Sequence, residues 1–344
     1  MNLSQEEHQL PRCARDFGGG LPAAAAASHP PCASTYNRAH HGFAVVTAGV
    51  TFLLLIAGAL VTSNNAGLAV PDWPTSFGSL YKIPPMVGGV KYEHGHRMVA
   101  QFAGLLTIIL AVWTWRVDRR SWMRKLGLAA LALVIVQGIL GGITVLYYLP
   151  PWVSTAHATL GQTFFCTVVL MALFTSRSWL ENERRELMDV RRPRLLTLCR
   201  LTVAAVFVQL ILGAAFRHSA LKLVPHLLLA AVVTVLALWT VTRALADYSK
   251  VAPLRRPAVL LMSLLVTQLA LGFAAYLTRV EWGVNAPQPL LSMVVSTVSH
   301  VAVGALLLAT SVVLMTQAQR HLLHATGQVE VPSPGAGNQR TVAA

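Results

Sequence analysis

The sequence predicts an all-α integral membrane protein whose eight transmembrane helices form two pseudo-symmetric four-helix bundles. Three observations carry this expectation. Seven long stretches hold no Asp, Glu, Lys or Arg: 39–71, 98–115, 126–176, 201–216, 223–242, 257–278 and 282–319. The connections between them alternate between strongly basic and nearly uncharged. A short pattern repeats along the chain and brings four histidines with it. Composition agrees, with 55% hydrophobic and 12% charged residues and a mean hydropathy of +0.57.

A spanning helix needs roughly 20 apolar residues. The 126–176 stretch is long enough for two, divided by a turn at Pro150-Pro151. Helices are therefore expected near 42–62, 96–116, 125–147, 153–175, 200–217, 223–243, 257–278 and 291–316. The domain reading follows: a tail over 1–40, a four-helix bundle over 41–176, a linker over 177–199, a second bundle over 200–318 and a tail over 319–344. The first tail contains Gly18–Gly20, Ala23–Ala27 and Pro30-Pro31, and 327–344 is rich in Gly, Pro and Ser. Both tails are expected to be disordered. The acids Glu6, Glu7 and Asp16 argue against a mitochondrial presequence. A bacterial cytoplasmic (inner) membrane is the expected location.

The basic residues set an orientation. Arg116, Arg119, Arg120, Arg124 and Lys125 lie in the first basic connection. Seven arginines from Arg177 to Arg200 lie in the second, and Arg243, Lys250, Arg255 and Arg256 in the third. The connection 147–153 has no charge, and 279–290 has only Arg279 and Glu281. Under the positive-inside rule the basic loops and both termini are cytoplasmic. The net charge of +14 is then mainly a topology signal. No basic patch on a soluble face points to nucleic acid.

Imidazoles inside apolar helices are costly unless something coordinates or hydrogen-bonds them. His96, His157, His226 and His300 each fall near the outer end of a different predicted helix. The first three are expected within the first turn, and His300 two to three turns in. Two facing pairs, one per bundle, suit two hemes held between axial imidazoles.

Gln-x-x-Leu-Gly occurs at Gln137–Gly141, Gln209–Gly213 and Gln268–Gly272. The separation from His96 to Gln137 is 41 residues, and that from His226 to Gln268 is 42. The two halves thus read as parallel copies related by an axis along the membrane normal. The repeated glycines are expected to permit close helix contact.

The halves differ in their first outer loops. That of the first half, about 63–95, is long and contains Pro71-Asp72-Trp73-Pro74, whereas Arg217–Val224 is short. Glu93 and His96 are spaced i,i+3, which puts them on one helix face. No carboxylate precedes His226 in this way. One site with an acid and one without points to one reactive heme and one electron-carrying heme.

Gly67-Leu68, Pro71-Asp72-Trp73-Pro74 and Glu93-x-x-His96-Arg97, set in eight helices of two similar halves, resemble the heme A synthase family over about residues 42–318. The resemblance implies oxidation of the C8 methyl of heme O to a formyl group, through the hydroxylated intermediate heme I, giving heme A for cytochrome oxidase. It implies that His96 and His157 form the catalytic, substrate-side pair and that His226 and His300 ligate the iron of a heme b cofactor. Glu93 matches the family's functional acid. The resemblance also implies heme O synthase, the protoheme farnesyltransferase, as a partner.

Many bacterial members carry a cysteine pair in the first outer loop. This chain has no cysteine between Cys32 and Cys166. It therefore resembles the subgroup without that pair, and no structural disulfide is expected.

The methyl-to-formyl change reads as two hydroxylations followed by loss of water, with Glu93 moving protons. Arg97, Arg217, Lys222 and Arg279 are candidates for holding heme propionates, Arg97 and Arg217 foremost. An electron donor such as a ferredoxin, the lipid bilayer and further copies of the chain complete the expected partners. A diheme b-type cytochrome that only transfers electrons accounts for the four histidines as well. It has no use for Glu93 or the long loop. His94 is expected to face away from His96, and His218 to be solvated or propionate-linked. His8, His29, His40, His41, His321 and His324 are expected to be bystanders.

Overall fold

The computed structural model describes residues 36–181, 185–283, 285–287 and 289–323. Among them, eight helices are long and apolar enough to cross a membrane. They are α1 (Arg38–Ser63), α2 (Val90–Val117), α3 (Ser121–Leu146), α4 (Pro151–Thr175), α6 (Leu195–Arg217), α7 (Val224–Tyr248), α8 (Ala252–Tyr276) and α9 (Leu291–His321). The one-turn helix α5 (Arg177–Leu180) follows α4, and α8 continues as a π-helix over Leu277–Glu281. The chain is an all-α, multi-pass membrane protein.

Several helices begin earlier than apolar patterning suggests, because polar residues supply their first turns. α1 starts at Arg38, inside the expected tail, with the Asn37 side chain accepting from the His40 N–H at 3.0 Å. His40 is buried, its Nε2 2.9 Å from the Thr114 hydroxyl, and His41 Nδ1 lies 3.2 Å from that of Thr175. These two histidines therefore bind α1 to α2 and α4 rather than standing by in a tail. The disorder expected of residues 1–35 and 324–344 lies outside the described residues, as do Cys13, Cys32, His8, His29 and His324.

α2 starts at Val90, six residues before the expected 96, after the Gly89 N-cap and a turn at Gly88 with φ +54°. This places His96 and His157 in the second turn of their helices, not the first. His226 lies in the first turn of α7 and His300 in the third turn of α9.

Short connections make sequential helices neighbours. α1 packs on α2 and α4, and α3 on the same two, closing a ring of four. α6, α7, α8 and α9 close a second ring in the same order, and α1, α4, α6 and α9 meet along the seam. Leu110, Met123, Phe164, Val168 and Met171 fill the first interior, and Leu254, Leu261, Ala305 and Leu314 lie in the second. The outward faces carry exposed Leu53, Phe102, Leu105, Leu228, Val235, Val266 and Phe273. In a bilayer such faces meet acyl chains, so packing and polar contacts, not water exclusion, select the helix partners. Threonine hydroxyls at 47, 51, 107, 155 and 159 each donate to the carbonyl four residues back, which satisfies them without a partner helix.

The linker after α5 is fastened to the second ring. Its strand β1 (Leu187–Met188) pairs in parallel with β2 (Leu322–Leu323), and the Arg185 N–H donates to His321 Nδ1 at 3.1 Å. His321 is thus a structural acceptor. Asp189 accepts the Leu195 N–H at 2.6 Å and lies 3.7 Å from Arg243, with both side chains buried. Removing one partner of a buried ion pair costs more than the pair contributes. Arg243→Met is expected to lower unfolding stability by about 3 kcal/mol, and adding Asp189→Asn should recover most of it; thermal unfolding in detergent measures both.

Candidate functional site

Each of the four histidines rests on a glycine of the preceding long helix. A Cβ on Gly58 of α1 would stand 3.1 Å from His96 Cε1, and one on Gly141 of α3 would stand 3.3 Å from His157 Cε1. The corresponding distances are 2.9 Å from Gly213 of α6 to His226 and 3.0 Å from Gly272 of α8 to His300. Any larger residue would push the imidazole along its helix, so the glycines fix where the rings stand. The repeated glycines do bring helices close, but their specific contact is the histidine ring.

The glutamines of the repeat bind the same turns. Gln137 Nε2 donates to the His157 carbonyl and Gln209 Nε2 to that of His226, both at 2.9 Å. Gln268 Nε2 is 3.2 Å from His300 Nε2. α1 has Leu54 where the other seat helices have glutamine. This is why its Gly58 went unnoticed as a fourth copy of the pattern; the four-residue spacing alone was the available signal.

The histidines meet in the expected pairs. The His226 and His300 rings stand edge to face with centroids 6.3 Å apart. That spacing admits one metal ion between two ring nitrogens at the roughly 2 Å of metal–imidazole bonds. His96 and His157 are close enough to interact electrostatically. His226 Nδ1 lies 3.2 Å from the Gln209 carbonyl. The Nδ1 atoms of His96, His157 and His300 are buried without a hydrogen-bond partner, as are Oε1 of Gln137, Gln209 and Gln268. No group of three or more His, Cys, Asp or Glu residues among the described residues could hold a metal. Paired imidazoles with orphaned polar neighbours fit a planar metal complex that fills its other coordination positions itself, as heme iron does.

A folded loop joins the first pair. Glu93 is 4% exposed. Its Oε2 accepts the Val70 N–H at 2.9 Å, and its Oε1 accepts Arg97 Nη2 at 2.7 Å. Arg97 also donates to the carbonyls of Asp72 at 2.7 Å, Thr75 at 2.8 Å and Val70 at 3.3 Å. Its guanidinium is therefore committed to the loop, not free for a propionate. Asp72 organises the next turn, accepting from the Thr75 hydroxyl and from the N–H groups of Phe77 at 2.7 Å and Gly78 at 2.8 Å. The Trp73 ring lies where a Cβ on Gly142 would stand 2.6 Å from its Cδ2, beside the seat of His157. The loop thus caps the first pair, with Trp73 as its foot. His94 turns toward the loop, its Nδ1 3.0 Å from the Ser76 hydroxyl, and away from His96 as expected.

In the second half Arg217 ends α6 and donates to Ser63 Oγ of α1 at 3.3 Å. His218 follows as the C-cap, half-buried. Lys222 is exposed. Cys166 and Cys199 are buried free thiols.

The fold and the site define a multi-pass membrane protein with two paired-imidazole centres, one of them capped by an acid-bearing loop. Residues 90–225 match the family model COX15-CtaA, described as cytochrome oxidase assembly protein. The chain is 33% identical over 129 residues to heme A synthase from Shouchella clausii (strain KSM-K16), covering 37% of this chain and 42% of that protein. It is 29% identical over 133 residues to heme A synthase from Alkalihalophilus pseudofirmus (strain ATCC BAA-2126 / JCM 17055 / OF4), covering 38% and 44%. Its match to heme A synthase from Symbiobacterium thermophilum (strain DSM 24528 / JCM 14929 / IAM 14863 / T) is longer, 27% identical over 266 residues, or 68% and 85%. The chain is similar to these heme A synthases, and its matches to the first two of them span less than half of their length.

Two outcomes follow from the geometry. Should the two histidine pairs each hold a heme, Gly213→Val or Gly272→Val, by displacing His226 or His300, should cut the heme retained per purified chain by about half, as read by pyridine hemochrome absorbance. Asp72 has its pKa lowered from 3.8 to about 2; slight burial opposes the shift, and the Thr75, Gly78 and Phe77 hydrogen bonds outweigh it. Because the folded state favours the charged form, its contribution is complete above pH 3.8 and is lost as pH falls through about 2. Pepsin should therefore spare the wild-type loop at pH 4 and cut it near pH 2, while Asp72→Asn should be cut at both.

Proposed function

We propose that the chain oxidises the C8 methyl of heme O to a formyl group, by way of hydroxylated heme I, producing heme A for cytochrome oxidase. The observation that carries this reading is the difference between two otherwise matching imidazole pairs. Only the first has a buried carboxyl one turn earlier on its helix and a folded loop over it. A chain that only passed electrons would have no use for that difference.

In this reading His96 and His157 hold the substrate, and His226 and His300 hold heme b. Bound heme b supplies one-electron transfer. Glu93, on the same helix face as His96, takes and returns the proton at its carboxyl oxygens. Arg97 fixes the rotamer of Glu93 and binds it to the loop backbone, so that the acid and the cap move as one unit. Trp73 seals the loop against α3 and keeps bulk water from the first pair. Arg217 is the arginine available to a heme carboxylate.

The long loop faces the outside of a bacterial inner membrane, with both termini in the cytoplasm, as the basic connections direct. A ferredoxin-like donor, heme O synthase as supplier of substrate and further copies of the chain are the partners proposed with it.

The test is mass spectrometry of hemes extracted from the chain produced beside a heme O-forming enzyme. Heme A or heme I together with heme b is the expected result. Glu93→Gln should lower product about 10²- to 10⁴-fold, the usual worth of a proton-transfer group, while heme b is retained. Wild-type protein carrying heme b alone would overturn the reading in favour of an electron-transfer cytochrome.

A further inference from the structure

A cavity of about 240 Å³ lies between the first outer loop and α2. Ser76, Ser79 and Tyr81 of the loop line it together with His94, Met98 and Gln101 of the helix. The helix residues are spaced i, i+4 and i+7, which puts them on one side of α2. His96, Ala103, Thr107 and Leu110 fall on the opposite side by the helix period. The cavity therefore backs onto the helix of the first imidazole pair without belonging to that site.

Three of its polar groups share one property. His94 Nδ1 is 3.0 Å from Ser76 Oγ. That bond can run in either direction, so Nε2 presents an acceptor in one tautomer and a donor in the other. Ser79 Oγ accepts the Lys82 N–H at 3.0 Å, and its own proton is left to rotate. Gln101 offers an amide oxygen and an NH₂ group, and has no hydrogen-bond partner among the described residues. Each of the three can donate or accept. The cavity offers no unpaired charge: the guanidinium of Arg97, on its wall, is paired with Glu93, and no carboxylate or lysine lines it.

The apolar surroundings are equally specific. Gln101 is eleven residues beyond Val90, about 16 Å from the start of α2. An amide without a partner is costly beside hydrocarbon. The residues of α7 that correspond to His94 and Gln101, counted from His226, are Val224 and Ala231. The helix frame thus has no need of polar groups there. Exposed Met98, Phe102, Leu105 and Ile109 continue from the cavity along one stripe of α2, and Leu80, Tyr81 and Ile83 are exposed at its mouth.

These features describe a small, uncharged head group with an apolar tail. A tetrapyrrole is too large, because the cavity falls below the roughly 300 Å³ at which sites for drug-sized ligands begin. A phospholipid brings a phosphate that no unpaired cation here would neutralise. We propose that the cavity binds the head ring of a membrane quinone or quinol, with its isoprenoid tail along Met98, Phe102, Leu105 and Ile109. The carbonyl oxygens of the quinone accept hydrogen bonds, and the hydroxyls of the quinol donate them. Groups that can do either serve both forms of the same ring. Tyr81 and Met98 supply contacts to its faces. Occupied, the cavity puts a carrier of two electrons and two protons directly behind the helix that holds His96. The proposal does not depend on reading the histidine pairs as heme sites.

The experiment uses the purified full chain in phosphatidylcholine nanodiscs and an azidoquinone with a short isoprenoid tail. After photolysis, labelled peptides are located by mass spectrometry, and heme content and thermal unfolding are measured on the same samples. Label should appear within 74–83 and 94–101 and be displaced by excess unlabelled quinone. His94→Leu and Gln101→Leu should each raise the half-saturating concentration about tenfold, the worth of one hydrogen bond, with unfolding temperature unchanged. His94→Gln, which can still donate or accept, should stay near wild type. Gln101 makes no bond to the loop, so Gln101→Leu decides the matter if His94→Leu loosens the fold.

Label spread evenly over the lipid-facing helices would overturn the proposal, as would an unchanged half-saturation in Gln101→Leu. Displacement by phosphatidylglycerol but not by quinone would assign the cavity to a lipid head group instead. Displacement by farnesol but not by quinone ring analogues without a tail would assign it to an isoprenoid chain alone. A chain that takes label at these peptides but never binds heme would remove the heme reading and leave the quinone site standing.

Discussion

The structure depends on a single constraint: four imidazoles must be held at fixed positions within apolar helices. A histidine ring is too large to pass between two helices in ordinary contact, and too polar to be left to drift in hydrocarbon. The chain meets both demands with a glycine on the facing helix, which admits the ring and stops it. Gly58, Gly141, Gly213 and Gly272 therefore set the spacing of α1 against α2, α3 against α4, α6 against α7 and α8 against α9. Close packing in a membrane interior relies on small residues for the same reason. Here the small residue accommodates a ring instead of a neighbouring backbone.

Once the rings are fixed, the two halves are free to diverge in whatever surrounds them. The first half spends its arginine on the protein itself. Arg97 makes bonds to three loop carbonyls and to Glu93, so its charge serves to hold a cap and an acid in one place. In the second half Arg217 and Arg279 have no carboxylate within ion-pair distance among the described residues, and the connection from α6 to α7 is short. The ordered loop belongs to the first half alone.

Most of the frame was legible in the sequence. Hydropathy and charge alternation located all eight spans, because a helix in a bilayer has no other way to satisfy its backbone. Histidine spacing anticipated which rings stand near each other, His226 with His300 and His96 with His157. The errors fell where polar chemistry extends a helix beyond its apolar run: Asn37 begins α1 four residues early, and Val90 begins α2 six residues early. The role of Arg97 was misjudged for a related reason. An arginine beside a candidate ligand looks available until the fold shows three carbonyls converging on it, and those carbonyls belong to a loop whose path no periodicity describes. Gly58 escaped notice because Leu54 replaces the glutamine that marks the other three seats.

That replacement bears on how the two sites differ. Gln137, Gln209 and Gln268 each lie against a histidine turn and leave a buried amide oxygen without a partner. His96 has leucine in the equivalent place. It is also the histidine that shares its helix with Glu93 and Arg97. The His96 ring still meets the Leu54 backbone, as His157, His226 and His300 meet the backbones of Gln137, Gln209 and Gln268, so its seat lacks the amide side chain but keeps the backbone contact and the glycine.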